Sequence, residues 1–100
     1  MELEQARAVI DRADAAIAAA FADRMRAVAE IAVYKASHGL PILDENREKQ
    51  VIEKNAARFD DETLREYYLT LLRTLTDVSK QYQRALFADE GFRDRVAEND

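Results

Sequence analysis

Two cations stand where a long helix should be apolar. Stepping through the first third of the chain in sevens, one column reads Ile10, Ile17, Arg24, Ile31, and the next reads Arg7, Asp14, Phe21, Val28, Lys35. A helix turns about 100° per residue, so residues seven apart lie nearly above one another. Arg24 and Lys35 therefore share a face with residues that should meet a core. An isolated buried cation is strongly unfavourable unless an anion meets it. Either protein carboxylates neutralise the pair or an anionic ligand does. The two residues are about 16 Å apart along the helix axis. Long side chains leaning toward each other across that gap can grip one small molecule.

Further polar residues fall at spacings that place them together. Asp44, Arg47 and Glu48 share a helix face by i, i+3 and i+4 spacing. Ser79 interrupts the column Leu72, Ser79, Leu86, and Gln83 ends the column Leu69, Thr76, Gln83. Each position also has a plainer explanation. Asp44 can be an N-cap, Arg47 and Glu48 a solvated face, and Ser79 and Gln83 buried polar residues satisfied by backbone. Arg24 can pair with a carboxylate across a dimer seam, and Lys35 can snorkel at a helix end. Taken together, the spacings are harder to dismiss as seven separate accidents.

The elements that must position these residues are helical. The chain has 100 residues, two glycines and one proline, and 48% of it is hydrophobic. That suits one all-α domain rich in strong helix formers. The first helix is predicted over Leu3 to Ser37, ended by His38-Gly39-Leu40-Pro41. A second starts at the N-cap Asp44 and runs to about Arg58. A third starts at Asp60-Asp61-Glu62 and carries Leu64, Tyr68, Leu71, Leu75, Val78 and Tyr82 to about Phe87. Residues 1–88 are thus expected to form a three-helix domain, and residues 89–100 a polar tail with a short helical segment around Phe92 to Ala97. A 35-residue helix is about 50 Å long, against a radius of gyration of about 13 Å for a compact chain of this size. Its apolar columns would outrun its own chain, which predicts an intertwined homodimer. The competing expectation is a monomeric three-helix bundle with a break in the first helix.

Composition narrows the chemistry. The net charge of −5 argues against a general nucleic-acid or anionic-membrane surface, but leaves room for a small anion held by local charge. No stretch approaches the ~20 apolar residues that span a bilayer. Zero cysteines and one histidine leave no thiolate metal site and make any transition-metal site a poor fit. No glycine-rich phosphate loop is present. Neither a metal nor a cofactor is expected. The acidic, polar Met1–Gln5 is unlike a signal peptide, and a cytoplasmic protein is the simplest expectation.

In order along the chain stand Arg7-x-x-Ile10-Asp11-x-x-Asp14, then Arg24 followed eleven residues later by Lys35 in Ile31-Ala32-Val33-Tyr34-Lys35. Gly39-Leu40-Pro41-Ile42 follows, leading to Asp44-x-x-Arg47-Glu48, and Ser79-x-x-x-Gln83 closes the series. In these pieces and their order the chain resembles the all-helical chorismate mutase family, the AroQ class, from about Arg7 to Gln83. The resemblance implies an intertwined dimer of three-helix chains with two equivalent sites. It implies the Claisen rearrangement of chorismate to prephenate in phenylalanine and tyrosine biosynthesis. Arg7 of one chain would join Arg24, Lys35, Asp44, Arg47, Glu48, Ser79 and Gln83 of the other. The arginines would hold the substrate carboxylates with help from Ser79. Lys35 and Gln83 would hydrogen-bond the ether oxygen, and Glu48, with Asp44 nearby, the ring hydroxyl.

Spacing supports one part of this independently. Arg7 lies about 25 Å along a straight helix from Arg24 and points about 100° away, so it cannot reach Arg24's site within one chain. The residue types suit a pericyclic reaction, which needs no nucleophile, metal or redox cofactor. The rivals are an isochorismate-pyruvate lyase on the same scaffold, which Asp44 and Glu48 match less well, and a non-catalytic helical dimerisation or regulatory module. A partner enzyme of aromatic biosynthesis is left open.

Overall fold

The computed structural model describes residues 1–98, which form four helices: α1 (Leu3–Ser37), α2 (Glu45–Ala56), α3 (Glu62–Ala88) and α4 (Glu90–Glu98). The all-α expectation holds, and α1 has the predicted bounds. Nothing between Leu3 and Ser37 breaks a helix. Its end is built by Gly39, whose φ of +64° is the left-handed value that a side chain resists. That turn lets Leu40 N–H donate to Lys35 O at 2.8 Å and Gly39 N–H to Ala36 O at 3.4 Å, capping the last carbonyls. The other helices begin where acidic caps allow. Asp44 accepts from Arg47 N–H at 3.0 Å. Asp61 accepts from Thr63 and Leu64 N–H at 2.9 and 3.1 Å. The second helix stops at Ala56, two residues short of the expected end.

The expected count of three helices per chain is corrected to four. Asp89 accepts from Phe92 N–H at 2.9 Å and so starts a further helix. Phe92 and Val96, one turn apart, then form an apolar stripe on α4. Phe92 is buried in a cluster with Ala32 and Val33 of α1, and Ala36, Leu86, Phe87 and Val96 pack around it. The Phe87 and Phe92 rings stack with centroids 5.6 Å apart. Arg95 pairs with Glu30 on α1. Residues 99 and 100 of the expected tail lie outside the described residues.

The chain is elongated, 55 × 28 × 17 Å, with a radius of gyration of 17.1 Å. α3 packs against α1, α2 and α4, and α1 packs against α3 and α4. On α1 only Val28, Ala32 and Val33 are buried. Ile10 and Ile17 remain 57% and 60% exposed, so the apolar column read from the sequence meets no core of its own chain over its first half. The buried residues of α1 all lie from Val28 onward, where it packs against α3 and α4. On α3 the buried residues are Leu69, Leu72, Ser79 and Gln83. Leu64 and Leu71, from the stripe read as apolar, are half exposed. The two columns with polar insertions are thus the ones that turn inward.

Candidate active site

A cavity of about 340 Å³ opens between the C-terminal half of α1, the loop after it, α2 and the second half of α3. Arg24 and Lys35 line it from α1, Asp44, Arg47 and Glu48 from α2 and its cap, and Ser79 and Gln83 from α3. Ala27, Val28, Ile31, Ile42 and Val51 supply its apolar wall. Seven of the eight residues singled out in the sequence are therefore brought together. Arg7 is not. It sits on the exposed first part of α1 and pairs with Glu4 at 3.0 Å.

Helix geometry puts each side chain in place. Val28 and Lys35 lie seven apart on α1, so the lysine stem follows the buried valine down the same face. Its ammonium donates to Ile42 O at 2.6 Å, tying the loop back over the end of α1. Arg24 is half-buried and donates to Ser79 Oγ, linking α1 to α3. Ser79 in turn donates to Leu75 O at 2.8 Å, one turn back. The anchor of α2 is its N-cap, Asp44, which places Arg47 and Glu48 on the turn that faces the cavity.

Two features of this wall bear on chemistry. Among the described residues neither Arg24 nor Lys35 forms an ion pair with a carboxylate. Gln83 is buried, and its Oε1 has no hydrogen-bond partner. An orphaned buried amide group costs about 1–3 kcal/mol. The orphaned atom is an acceptor, which only a hydrogen-bond donor can satisfy; the donor of this amide is its Nε2. Among the described residues, no carboxylate of this chain pairs with either cation on the apolar face of α1.

The cavity also contains residues that the sequence reading passed over. Thr76 and Lys80 line it from α3. The Lys80 ammonium lies 3.0 Å from Glu48 Oε1 and 3.5 Å from Asp77 Oδ1. The hydrogen bond to Glu48 is the main cause that holds its pKa above the ordinary lysine value, with partial desolvation opposing and the Asp77 charge assisting. Its signal was present in the spacing, since Thr76, Lys80 and Gln83 step along α3 by four and three. Counting Lys80, four cations (Arg24, Lys35, Arg47, Lys80) face two carboxylates (Asp44, Glu48), an excess of two positive charges.

Comparison with known proteins supplies one match. The family model for chorismate mutase type II covers residues 6–84, from the turn that holds Arg7 to the residue after Gln83. No curated protein and no solved structure matches the chain.

Proposed function

This chain belongs to the type II chorismate mutase family, and from that premise we propose a site, shared between two copies of the chain, that works by restraint and charge alone. The protein is a chorismate mutase, an isomerase whose substrate is chorismate and whose product is prephenate. The observation that carries the proposed mechanism is the wall just described: a cavity to which one chain brings two excess positive charges, three of its four cations (Arg24, Lys35 and Arg47) having no carboxylate partner among the described residues. Chorismate brings two carboxylates to this positively charged wall.

The uncatalysed rearrangement is slow largely because a flexible dianion must fold into a compact, reactive chair. Fixed cations hold it there, converting a costly search into a bound geometry. Arg24, with Ser79 behind it, grips one carboxylate. Arg47 and the partner's Arg7 complete the clamp on the pair. As the ether bond breaks, negative charge builds on its oxygen. Lys35 and Gln83 donate to that oxygen more strongly in the transition state than in the ground state, which is what lowers the barrier. Lys35 exchanges its bond to Ile42 O for this one. Glu48, with Asp44 beside it, accepts from the ring hydroxyl and sets the register of the ring.

The proposed dimer is intertwined. It is supported by the exposed apolar residues Leu3, Val9, Ile10, Ile17 and Phe21, which need a covering surface, and by Arg7, stranded about 25 Å from the cavity it would serve. A second chain with twofold symmetry satisfies both at once. Residues 1–88 are proposed as the catalytic domain and 89–100 as an appended segment, in keeping with a family match that stops at residue 84. No described helix is long and apolar enough to cross a membrane. A cytoplasmic location is proposed from the cysteine-free composition.

Incubating the protein with chorismate and, separately, with isochorismate, and identifying products by mass, tests the function. Prephenate from chorismate is expected. Salicylate and pyruvate from isochorismate, with no prephenate from chorismate, would assign the lyase activity instead.

A further inference from the structure

Lys80 has no place in the proposed eight-residue constellation, yet it sits at the cavity wall with its ammonium 3.0 Å from Glu48 Oε1. Both side chains are largely withdrawn from solvent, at 20% and 32% exposure. The pair joins α3 to α2. It also stands between the main cavity and a second cleft lined by Glu45, Lys49, Arg73 and Asp77. A carboxylate on a short, little-buried helix has several rotamers open to it. A cation from the neighbouring helix, itself steadied by Asp77 at 3.5 Å, selects one of them.

We propose that Lys80 is a positioning residue: it holds the Glu48 carboxylate at the cavity wall in the orientation that receives the substrate's ring hydroxyl. The inference rests on the ring-hydroxyl role of Glu48 proposed above. Lys80 acts through Glu48. The charged groups around the pair are Asp44, Glu45, Arg47 and Lys49 on the α2 side, and Arg73 and Asp77 on α3. Of these, only Asp77 lies within ion-pair distance of Lys80.

The test combines Lys80→Met, Lys80→Arg and Glu48→Gln with the double variant Lys80→Met/Glu48→Gln. Lys80→Met keeps the length of the stem and removes the charge. With chorismate, it is expected to raise KM about tenfold with a smaller change in kcat, as for loss of a contact made in ground and transition states alike. Lys80→Arg should restore most of the loss, and thermal unfolding should barely move. In the Glu48→Gln background the Lys80→Met effect should fall to about twofold or less, because the two residues act as a unit. Fully additive effects, or an unchanged KM in Lys80→Met, would overturn the proposal. A readout without turnover separates it from the catalytic assignment. In the ligand-free protein, the Lys80 amine, followed by NMR at Cε, should titrate closer to an ordinary lysine in Glu48→Gln. If its midpoint does not fall, the pair does not exist in solution and Lys80 positions nothing, whatever the enzyme catalyses. If it falls but chorismate is not turned over, the pair stands and its proposed use in the ring-hydroxyl contact fails with the catalytic reading.

Discussion

Arg7 decides whether the site belongs to one chain or two. It precedes Arg24 by 17 residues on an unbroken helix, about 25 Å along the axis, several times the length of an arginine side chain. No rotamer closes that gap, so Arg7 of the same chain is excluded by geometry. Arg7→Ala and Arg24→Ala should each lose a charged hydrogen-bond donor to the transition state and fall about 10²–10³-fold in rate. Now let equal amounts of the two inactive proteins be unfolded together and refolded. Random pairing makes about half of the dimers mixed. In each mixed dimer, one site takes Arg7 from the Arg24→Ala chain and Arg24 from the Arg7→Ala chain, and is intact. The other site lacks both. The mixture should therefore recover about a quarter of wild-type activity per chain, far above either parent. The assay is loss of chorismate absorbance, with native mass spectrometry to count mixed dimers. Mixed dimers without recovered activity would refute the shared site, because a site built within one chain is never complete in such a mixture.

Gln83→Glu converts a donor that does not titrate into one that donates only when protonated. Its activity should be highest at low pH and decline as pH rises through the new carboxyl's pKa, whereas the wild-type enzyme has no such requirement. A flat or rising profile would remove Gln83 from the ether oxygen. Phe92→Ala empties the centre of the cluster that docks α4, at a site only 5% exposed, and should destabilise the fold by about 3 kcal/mol in urea titrations. A loss below about 1 kcal/mol would mean that α4 is not part of the cooperative core.

Helix boundaries were legible because their causes are local. Gly39 and the acidic caps Asp44 and Asp61 act on backbone groups within four residues of themselves. The stretch from Leu3 to Ser37 offers no glycine or proline to stop it. The site was legible for a different reason. Arg24 and Lys35 violate the periodicity of their own helix, and a violation of a strong pattern marks function or strain. That Ser79 meets Arg24 across 55 residues of chain came from the resemblance and not from periodicity.

Less was readable wherever two faces of one helix compete. On α3 the uninterrupted stripe from Leu64 to Tyr82 looked like the better core, yet Leu69, Leu72, Ser79 and Gln83 turned inward. Both stripes are apolar enough to pack. Which one faces α1 and α2 depends on how three helices settle against each other. The same holds for α4: its cap and stripe are local, but docking against Ala32 and Val33 requires α1 to be there.

By itself, then, the sequence determined the first three helices, their starts and the identity of the charges that an apolar face cannot leave unmatched, since propensity, capping and desolvation act residue by residue. Only the tertiary structure decided which faces close on each other. It placed seven distant polar residues around one 340 Å³ space, set Lys80 against Glu48, and left the first half of α1 uncovered. Those outcomes follow from packing between elements far apart in the chain, where no single spacing carries the answer.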